Sequence, residues 1–105
     1  MKNYSEDKEI ERMASIMQRN HKSQHDIFIE KQKAYSTRAI KEFGLDGIII
    51  RLNDKILRLK TLAYHKSEFT APCNESIDDT LMDIANYANI ALVLREMNKD
   101  AKQRA

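Results

Sequence analysis

The sequence predicts an all-α fold, an antiparallel bundle of three or four helices that assembles into oligomers. The 105 residues include two Gly and one Pro, which leaves few turn residues for a β-rich fold. Apolar residues recur at intervals of three and four along several segments, and the longest such segment runs from Glu75 to Met97. This segment carries more apolar residues than one buried helix face needs, which favours a subunit interface.

The composition is typical of a soluble protein with one helical domain over residues 1–105. Hydrophobic residues make up 42% of the chain and charged residues 32%, enough for one modest core. The formal net charge of +2 is too small to indicate direct nucleic-acid binding. Cys73 is the only cysteine, so no internal disulfide can form. No apolar run approaches the ~18 residues that span a bilayer, so we expect a cytoplasmic protein without membrane contact.

The first third of the chain predicts one long helix or two shorter ones, after residues 1–4, which are expected to fray. Ser5 followed by Glu6 and Asp7 is typical of a helix start, because a hydroxyl caps free N–H groups and acids favour the first turn. Residues 20–23 interrupt the apolar pattern, so the helix either breaks there or continues. The apolar positions on the two sides are Ile10, Met13, Ala14, Met17, Ile27, Phe28, Ala34 and Tyr35.

Two further helical segments are predicted before a loop at residues 65–74. Ser36 starts a short turn of helix that ends at Phe43, and Gly44 suits the position that follows a helix. Asp46 can cap the next helix, which starts at Gly47 and ends near residue 64. Its predicted core positions are Ile48, Ile49, Leu52, Ile56, Leu59, Leu62 and Ala63.

The closing helix, Glu75 to Met97, starts with Asn74 or Ser76 as its cap. After Met97 the apolar period is lost, and residues 98–105 are expected to fray. The stripe predicted to be buried consists of Ile77, Leu81, Ile84, Ala85, Ala88, Ala91 and Leu92. A second apolar set indicates either a homo-oligomer or a central helix in a compact monomer; it consists of Met82, Ile90, Val93, Leu94 and Met97.

An acidic edge lies beside the stripe of the closing helix. Glu75, Asp79 and Asp83 recur every four residues and Asn86 follows, so at about 100° per residue they line one side. Carboxylates at this spacing repel one another, which indicates basic neighbours, a bound cation or a solvated rim. Mg²⁺ prefers oxygen ligands and is commonly held by one or two carboxylates together with substrate phosphates.

Asp26 and Glu30 repeat this spacing on an earlier helix. Two acidic helices that face each other across a bundle could supply four oxygen ligands. The same spacing is also common on the charged faces of ordinary helices.

Arg51, Lys55 and Arg58 form a basic row, spaced four and three, on the helix before the loop. Arginine offers a planar fork that suits phosphate, and lysine offers a point charge. The row therefore predicts phosphate binding or, equally, a set of ion pairs within and between helices, such as Asp54 with Arg58.

The other polar residues give weaker signals. The three histidines lack the spacing of a zinc site, and Cys73 has no assigned base, so neither a zinc centre nor a cysteine nucleophile is expected. Tyr87 could stack on a base whose edge Asn86 hydrogen-bonds, although a core tyrosine is the commoner role.

Three stretches carry a family resemblance in the same order. The closing helix reads ESIDDTLMDIANYANIAL, residues 28–36 read FIEKQKAYS, and residues 51–59 read RLNDKILRL. The last two are similar to the motifs F-x-x-K-x-x-D-Y-G and R-x-x-D-K-x-x-R-[LI]. Over about residues 26–94 the chain resembles nucleotide modification associated domain 1. This family of small phage and bacterial proteins is distantly related to the all-α, MazG-like nucleoside triphosphate pyrophosphohydrolases.

The resemblance implies a homo-oligomeric nucleotide-processing protein in the cytoplasm of a bacterium or phage-infected host, active in nucleotide or DNA-modification metabolism. Its chemistry would be Mg²⁺-dependent hydrolysis of a nucleoside triphosphate to a monophosphate and pyrophosphate. The implied metal ligands are Asp26, Glu30, Asp79 and Asp83, and the acidic edge adds Glu75 as a further candidate. The implied catalytic residues are Glu30, Asp79 and Asp83. The residue types and spacing described above add the candidates for nucleotide binding, which are Arg51, Lys55, Arg58, Asn86 and Tyr87.

The MazG-like enzymes carry the motifs E-E-x-x-E and E-E-x-x-D, whose outer positions would be taken by Asp26 and Glu30 and by Asp79 and Asp83. The chain departs from the motifs at four positions. Ile27 and Thr80 stand where the MazG-like motifs have a second acid, and Ala34 and Ser36 stand where the family motif has Asp and Gly. Two other functions therefore stay open, a phage module that binds or sequesters a nucleotide without hydrolysis and a helical protein–protein adaptor.

Overall fold

The computed structural model describes residues 4–64 and 73–104, with the backbone alone at 35, 73–76 and 103–104. These residues form three helices, α1 (Tyr4–Tyr35), α2 (Arg38–Tyr64) and α3 (Cys73–Arg104). The described ranges contain no strand, so the predicted all-α fold class is confirmed with three helices. In these same ranges, no helix combines the length and the apolar character needed to cross a membrane.

The chain divides into two compact units, Met1–Ala34 and Tyr35–Ala105. The first contains nearly all of α1, and the second contains α2 and α3, which pack against each other. The assignment of residues 1–105 to one domain stays a prediction.

Helix α1 continues through residues 20–23 without a break. It begins at Tyr4, one residue before the predicted cap, so Tyr4 is helical rather than frayed. Residues 1–3, also predicted to fray, lie outside the described residues. Ile27, Phe28 and Ile29 are half-buried, whereas the apolar residues nearer the start, Ile10, Met13 and Met17, are exposed.

A left-handed residue separates α1 from α2. Ser36 has φ 73°, in the left-handed region, which residues other than Gly, Asn and Asp adopt at a cost. Its Oγ accepts a hydrogen bond from the Arg38 N–H at 3.2 Å, and Lys41 N–H donates to the Thr37 carbonyl at 3.1 Å to close the first turn. The predicted restart of a helix at Ser36-Thr37 is therefore confirmed.

Helix α2 is kinked at Gly44, where the sequence predicted an end and a new start. Gly44 has φ 57° and ψ −151°, a backbone conformation that is nearly restricted to glycine. The kink brings Gly47 against Phe43, so closely that a Cβ on Gly47 would overlap the Phe43 Cβ. The corner therefore needs both glycines of the chain, for two different reasons.

The packed surfaces of α2 and α3 differ from the predicted core. Ile48 and Leu62 are buried as expected, Ile90 of the second apolar set is also buried, and Thr80 is 3% exposed. Five predicted core residues are exposed: Ile49, Ile56, Leu81, Ala88 and Leu92. At about 100° per residue, Leu81 and Leu92 point about 100–120° away from Thr80, which faces inward. A helix that is apolar on several sides does not reveal which side packs, and this is why the prediction was wrong.

Helix α3 is longer than predicted at both ends. Cys73 and Asn74, placed in the loop by the sequence, are helical, and the rest of that loop lies outside the described residues. The tail predicted to fray is helical up to Arg104. Its Ala, Lys, Gln and Arg residues have high helix propensity and favour a helix without any apolar stripe.

Candidate functional site

A charged pair lies within the packed seam between α2 and α3. The Nζ of Lys55 is 2.9 Å from Oδ2 of Asp83, and the two side chains are only 28% and 26% exposed. This distance is that of a charge-assisted hydrogen bond. The pair joins the predicted basic row to the predicted acidic edge, and it confirms the interhelical ion pair that the sequence left open.

The α2 sequence directs Lys55 into the seam. Lys55 is the central member of a series spaced four, three, four and three, whose other side chains are buried or half-buried: Ile48, Leu52, Leu59 and Leu62. Such a series forms one continuous helix face. A lysine in the middle of an apolar face needs a partner for its charge, because burial of an unpaired ammonium is costly.

A matching series on α3 directs Asp83 toward the same seam. It is spaced three, four, three and four, and its members are buried or half-buried: Thr80, Asp83, Tyr87, Ile90 and Leu94. Each series thus places one charged residue among apolar or neutral ones. The loss of either residue would remove a counter-charge from a partly desolvated place, which is costly.

The other two members of the basic row lie at the rim. Arg51 and Arg58 are exposed, and at about 100° per residue both lie to the same side of Lys55, about 40° and 60° around the helix and one turn before and after it. Their guanidinium groups are therefore accessible to a ligand that reaches the Lys55–Asp83 pair from solvent.

The predicted acidic edge is not uniform. Asp79 is exposed and Asp83, one turn later, is half-buried in the seam, while for Glu75 only the backbone is described. Asn86 and Tyr87, predicted to contact a nucleotide, are half-buried next to Asp83. Among the described residues, no three His, Cys, Asp or Glu side chains are grouped as a metal site would require.

The second predicted acidic pair, Asp26 and Glu30, is exposed on α1 in the other compact unit. Asp26 Oδ2 is 3.4 Å from Lys22 Nζ, and its Oδ1 is 4.0 Å from His25 Nδ1. The four-carboxylate site that would combine this pair with Asp79 and Asp83 stays a prediction.

The importance of two residues was missed or misjudged at the level of sequence. The sequence pattern presents Lys55 only as one member of a basic row, although the apolar spacing around it marks an inward position. Thr80 was noted only as a missing acid, yet it is the least exposed of the described residues. A carboxylate at position 80 would therefore lie inside the seam.

The arrangement offers both signs of charge over a short distance. Two arginines and one lysine on α2 can bind phosphate oxygens, and two carboxylates on α3 can bind a cation or a hydrogen-bond donor. A ligand that carries phosphate groups, alone or with a divalent cation, matches this chemistry.

Residues 31–94, more than half of the 105-residue chain, match the sequence model of the family described as nucleotide modification associated domain 1. The match includes all of α2 and most of α3, and so both members of the Lys55–Asp83 pair. Asp26 and Glu30 precede it. Comparisons with curated proteins and with solved structures gave no significant match.

Proposed function

Because the chain belongs to the nucleotide modification associated domain 1 family, we propose that its α2–α3 seam binds a nucleotide through the phosphate groups. The observation that carries this proposal is the Lys55–Asp83 pair, an ammonium and a carboxylate 2.9 Å apart and flanked by exposed Arg51 and Arg58. A cellular role in phage or host nucleotide and DNA-modification metabolism is part of the proposal.

In this proposal the basic row contacts the phosphate oxygens. Arg51 and Arg58 are exposed and can each form two parallel hydrogen bonds to a phosphate. Lys55 supplies a third positive charge, half-buried in the seam beside them. Asn86 and Tyr87 are half-buried beside Asp83, and they are suited to contact the base or the sugar.

The carboxylates of Asp79 and Asp83 fit Mg²⁺ when phosphate oxygens complete the coordination. They are hard oxygen donors one helical turn apart, and Mg²⁺ is commonly held by one or two carboxylates plus substrate phosphates. When bound, the ion would neutralise part of the phosphate charge. Glu75 is the third candidate ligand on the same helix edge.

A thermal-shift screen of nucleoside mono-, di- and triphosphates, with and without Mg²⁺, tests this proposal. A ligand at about 100 times its dissociation constant stabilises the native state by about 2.7 kcal/mol, so the melting temperature should rise by several degrees. Arg51→Ala and Lys55→Met should weaken the shift. Lys60→Met removes an exposed lysine from another side of α2 and should not. The proposal fails if no nucleotide changes the melting temperature under either condition.

Hydrolysis of a nucleoside triphosphate is the second candidate function. Asp79 and Asp83 favour it, because their spacing fits the outer positions of the acidic motif E-E-x-x-D of the MazG-like enzymes, the distant relatives of this family. Water would attack the α-phosphorus, the bond to the bridging oxygen would break, and pyrophosphate and a nucleoside monophosphate would leave. Glu30, Asp79 and Asp83 are the proposed catalytic residues.

We place binding ahead of hydrolysis because Lys55 already engages Asp83 and because the buried position 80 is a threonine. Pyrophosphate release from a panel of ordinary and modified triphosphates, lost in Asp83→Asn, would reverse this order. Saturable binding by calorimetry without product would support the binding function alone.

A further inference from the structure

We infer that Lys55 controls the access of a divalent cation to Asp83, so that the cation and the nucleotide phosphates bind together and each binds weakly alone. This inference rests on the proposed function and adds a rule for how the site is filled. It assigns Lys55 a positioning role, in addition to a contact with phosphate.

A cation can arrive at Asp83 without phosphate. Oδ2 of Asp83 is already 2.9 Å from the Lys55 ammonium, and both side chains are about three-quarters buried. A cation that binds this carboxylate must displace the ammonium or share the oxygen with it. In either case two positive charges lie close together in a partly desolvated seam, where their repulsion is stronger than in bulk water.

Phosphate can also arrive at Lys55 without a cation. If Lys55 turns toward a phosphate, the Asp83 carboxylate loses the contact with this ammonium and faces a second anion at short range. Asp79, exposed one turn earlier on the same helix, adds a further negative charge. The free phosphate therefore gains one ion pair and loses another.

Both costs disappear when the two ligands arrive together. Lys55 then pairs with a phosphate oxygen, and Asp83 pairs with the cation that the phosphates also hold. The Lys55–Asp83 pair is thus replaced by two new pairs of opposite charge. Because coupling between two ligands is reciprocal, each must raise the affinity for the other by the same factor.

Arg51 and Arg58 are exposed, so we assign the coupling between cation and phosphate binding to Lys55 rather than to them. Both arginines can contact phosphate whether or not a cation is present. Their removal should weaken phosphate binding equally with and without the cation. Removal of Lys55 should instead change the ratio of the two affinities.

Two titrations of the full chain test the inference, with inorganic tripolyphosphate and Mn²⁺ as probes. Tripolyphosphate binding, followed by calorimetry with and without Mg²⁺, should be at least about tenfold tighter with Mg²⁺ in the wild type. In Lys55→Met this ratio should be at least about threefold smaller than in the wild type, because only the direct contact between cation and phosphate remains, and in the exposed control Lys60→Met it should be unchanged. Mn²⁺ alone, followed by electron paramagnetic resonance, should bind at least about tenfold more tightly to Lys55→Met than to the wild type.

The outcomes separate this inference from the proposed function. Tripolyphosphate binding that is equally tight with and without Mg²⁺ in the wild type overturns the coupling and leaves nucleotide binding intact. Equal Mn²⁺ affinity of the wild type and folded Lys55→Met also overturns it. The absence of any tripolyphosphate or nucleotide binding overturns both. Should Lys55→Met fail to fold, the wild-type affinity ratio decides the question by itself.

Discussion

Gly47 lies against Phe43 across the kink of α2, and the space that a Cβ on Gly47 would need is taken by the Cβ of Phe43. In a straight helix, residues four apart leave ample room for two Cβ atoms. The close approach is a consequence of Gly44, whose φ of 57° bends the chain between them. The bend of α2 at residues 43–47 therefore requires glycine at two positions: residue 44 for its backbone conformation and residue 47 for its contact with Phe43.

We expect Gly47→Ala to destabilise the protein. Helix propensity alone would make alanine more favourable by about 1 kcal/mol in a helix interior. Overlap with Phe43 should reverse this sign and lower the free energy of unfolding by about 1–3 kcal/mol. Urea denaturation followed by circular dichroism measures the change.

The matched control for this prediction is the same substitution in a Phe43→Gly background, where the clashing Cβ is absent. There the cost of Gly47→Ala should largely disappear. A stabilising effect of Gly47→Ala in the wild-type background would contradict the close approach.

Ser36 provides a second prediction, since it holds a left-handed conformation where the family motif has glycine. Glycine relieves the backbone strain but loses the bond to the Arg38 N–H and increases the entropy of the unfolded chain. These effects nearly cancel, so Ser36→Gly should stay within about 0.5 kcal/mol of the wild type. Ser36→Ala keeps the strain and loses the bond, and it should cost about 1 kcal/mol. Equal stability of the Gly and Ala variants in thermal denaturation would show that φ at residue 36 does not matter.

Local signals in the sequence predicted the helices well. The low glycine content, the start at Ser36 and the break at Gly44 all follow from backbone chemistry that depends on neighbours in sequence. Packing direction was harder to predict because it depends on the partner helix. Leu81 and Leu92 satisfy an apolar period as well as Thr80 and Ile90 do, and only the position of α2 selects between the two faces.

For the candidate site, too, the sequence predicted local features but not contacts between helices. Residue types and spacing identified Lys55 and Asp83 as charged residues of interest, but a one-dimensional pattern could not show that they contact each other. For Lys55 a usable signal existed, since its neighbours at intervals of three and four are Leu52, Leu59 and Leu62.

The Lys55–Asp83 pair should have a measurable coupling energy. In a double-mutant cycle with Lys55→Met and Asp83→Asn, we expect a coupling energy of about 1–2 kcal/mol. The pair is partly buried, so removal of one residue takes away a counter-charge from the other in a partly desolvated place. Lys22 and Asp26, 3.4 Å apart and largely exposed on α1, form the control pair and should couple by less than about 0.5 kcal/mol. Equal coupling energies for the two pairs in urea denaturation would show that burial in the seam adds nothing.

Thr80 should not accept the acid that the resemblance places at this position. With Thr80 3% exposed, Thr80→Glu inserts a larger ionisable group into the seam, and we expect a loss of about 2–4 kcal/mol in the free energy of unfolding. Thr80→Val keeps the shape and removes only the hydroxyl, so it should cost about 1 kcal/mol. If Thr80→Glu were as stable as Thr80→Val in denaturant titrations, position 80 could hold a carboxylate and hydrolysis would become the stronger proposal.

Self-association through the exposed apolar face of α3 is the last prediction. Val93 and Met97, one helical turn apart, are 47% and 46% exposed, and Leu92 beside them is 65% exposed. Only three apolar residues in the described part of the chain are buried, a small core for a 105-residue chain, so a second copy that covers this face would add the burial that the single chain lacks. Sedimentation equilibrium should give a mass that is a multiple of 12.3 kDa for the wild type and a lower multiple for Val93→Glu/Met97→Glu. Asn98→Glu is the control for this prediction, because it adds one negative charge at an exposed polar position and should leave the mass unchanged. A wild-type mass of 12.3 kDa at micromolar concentration would exclude the homo-oligomer.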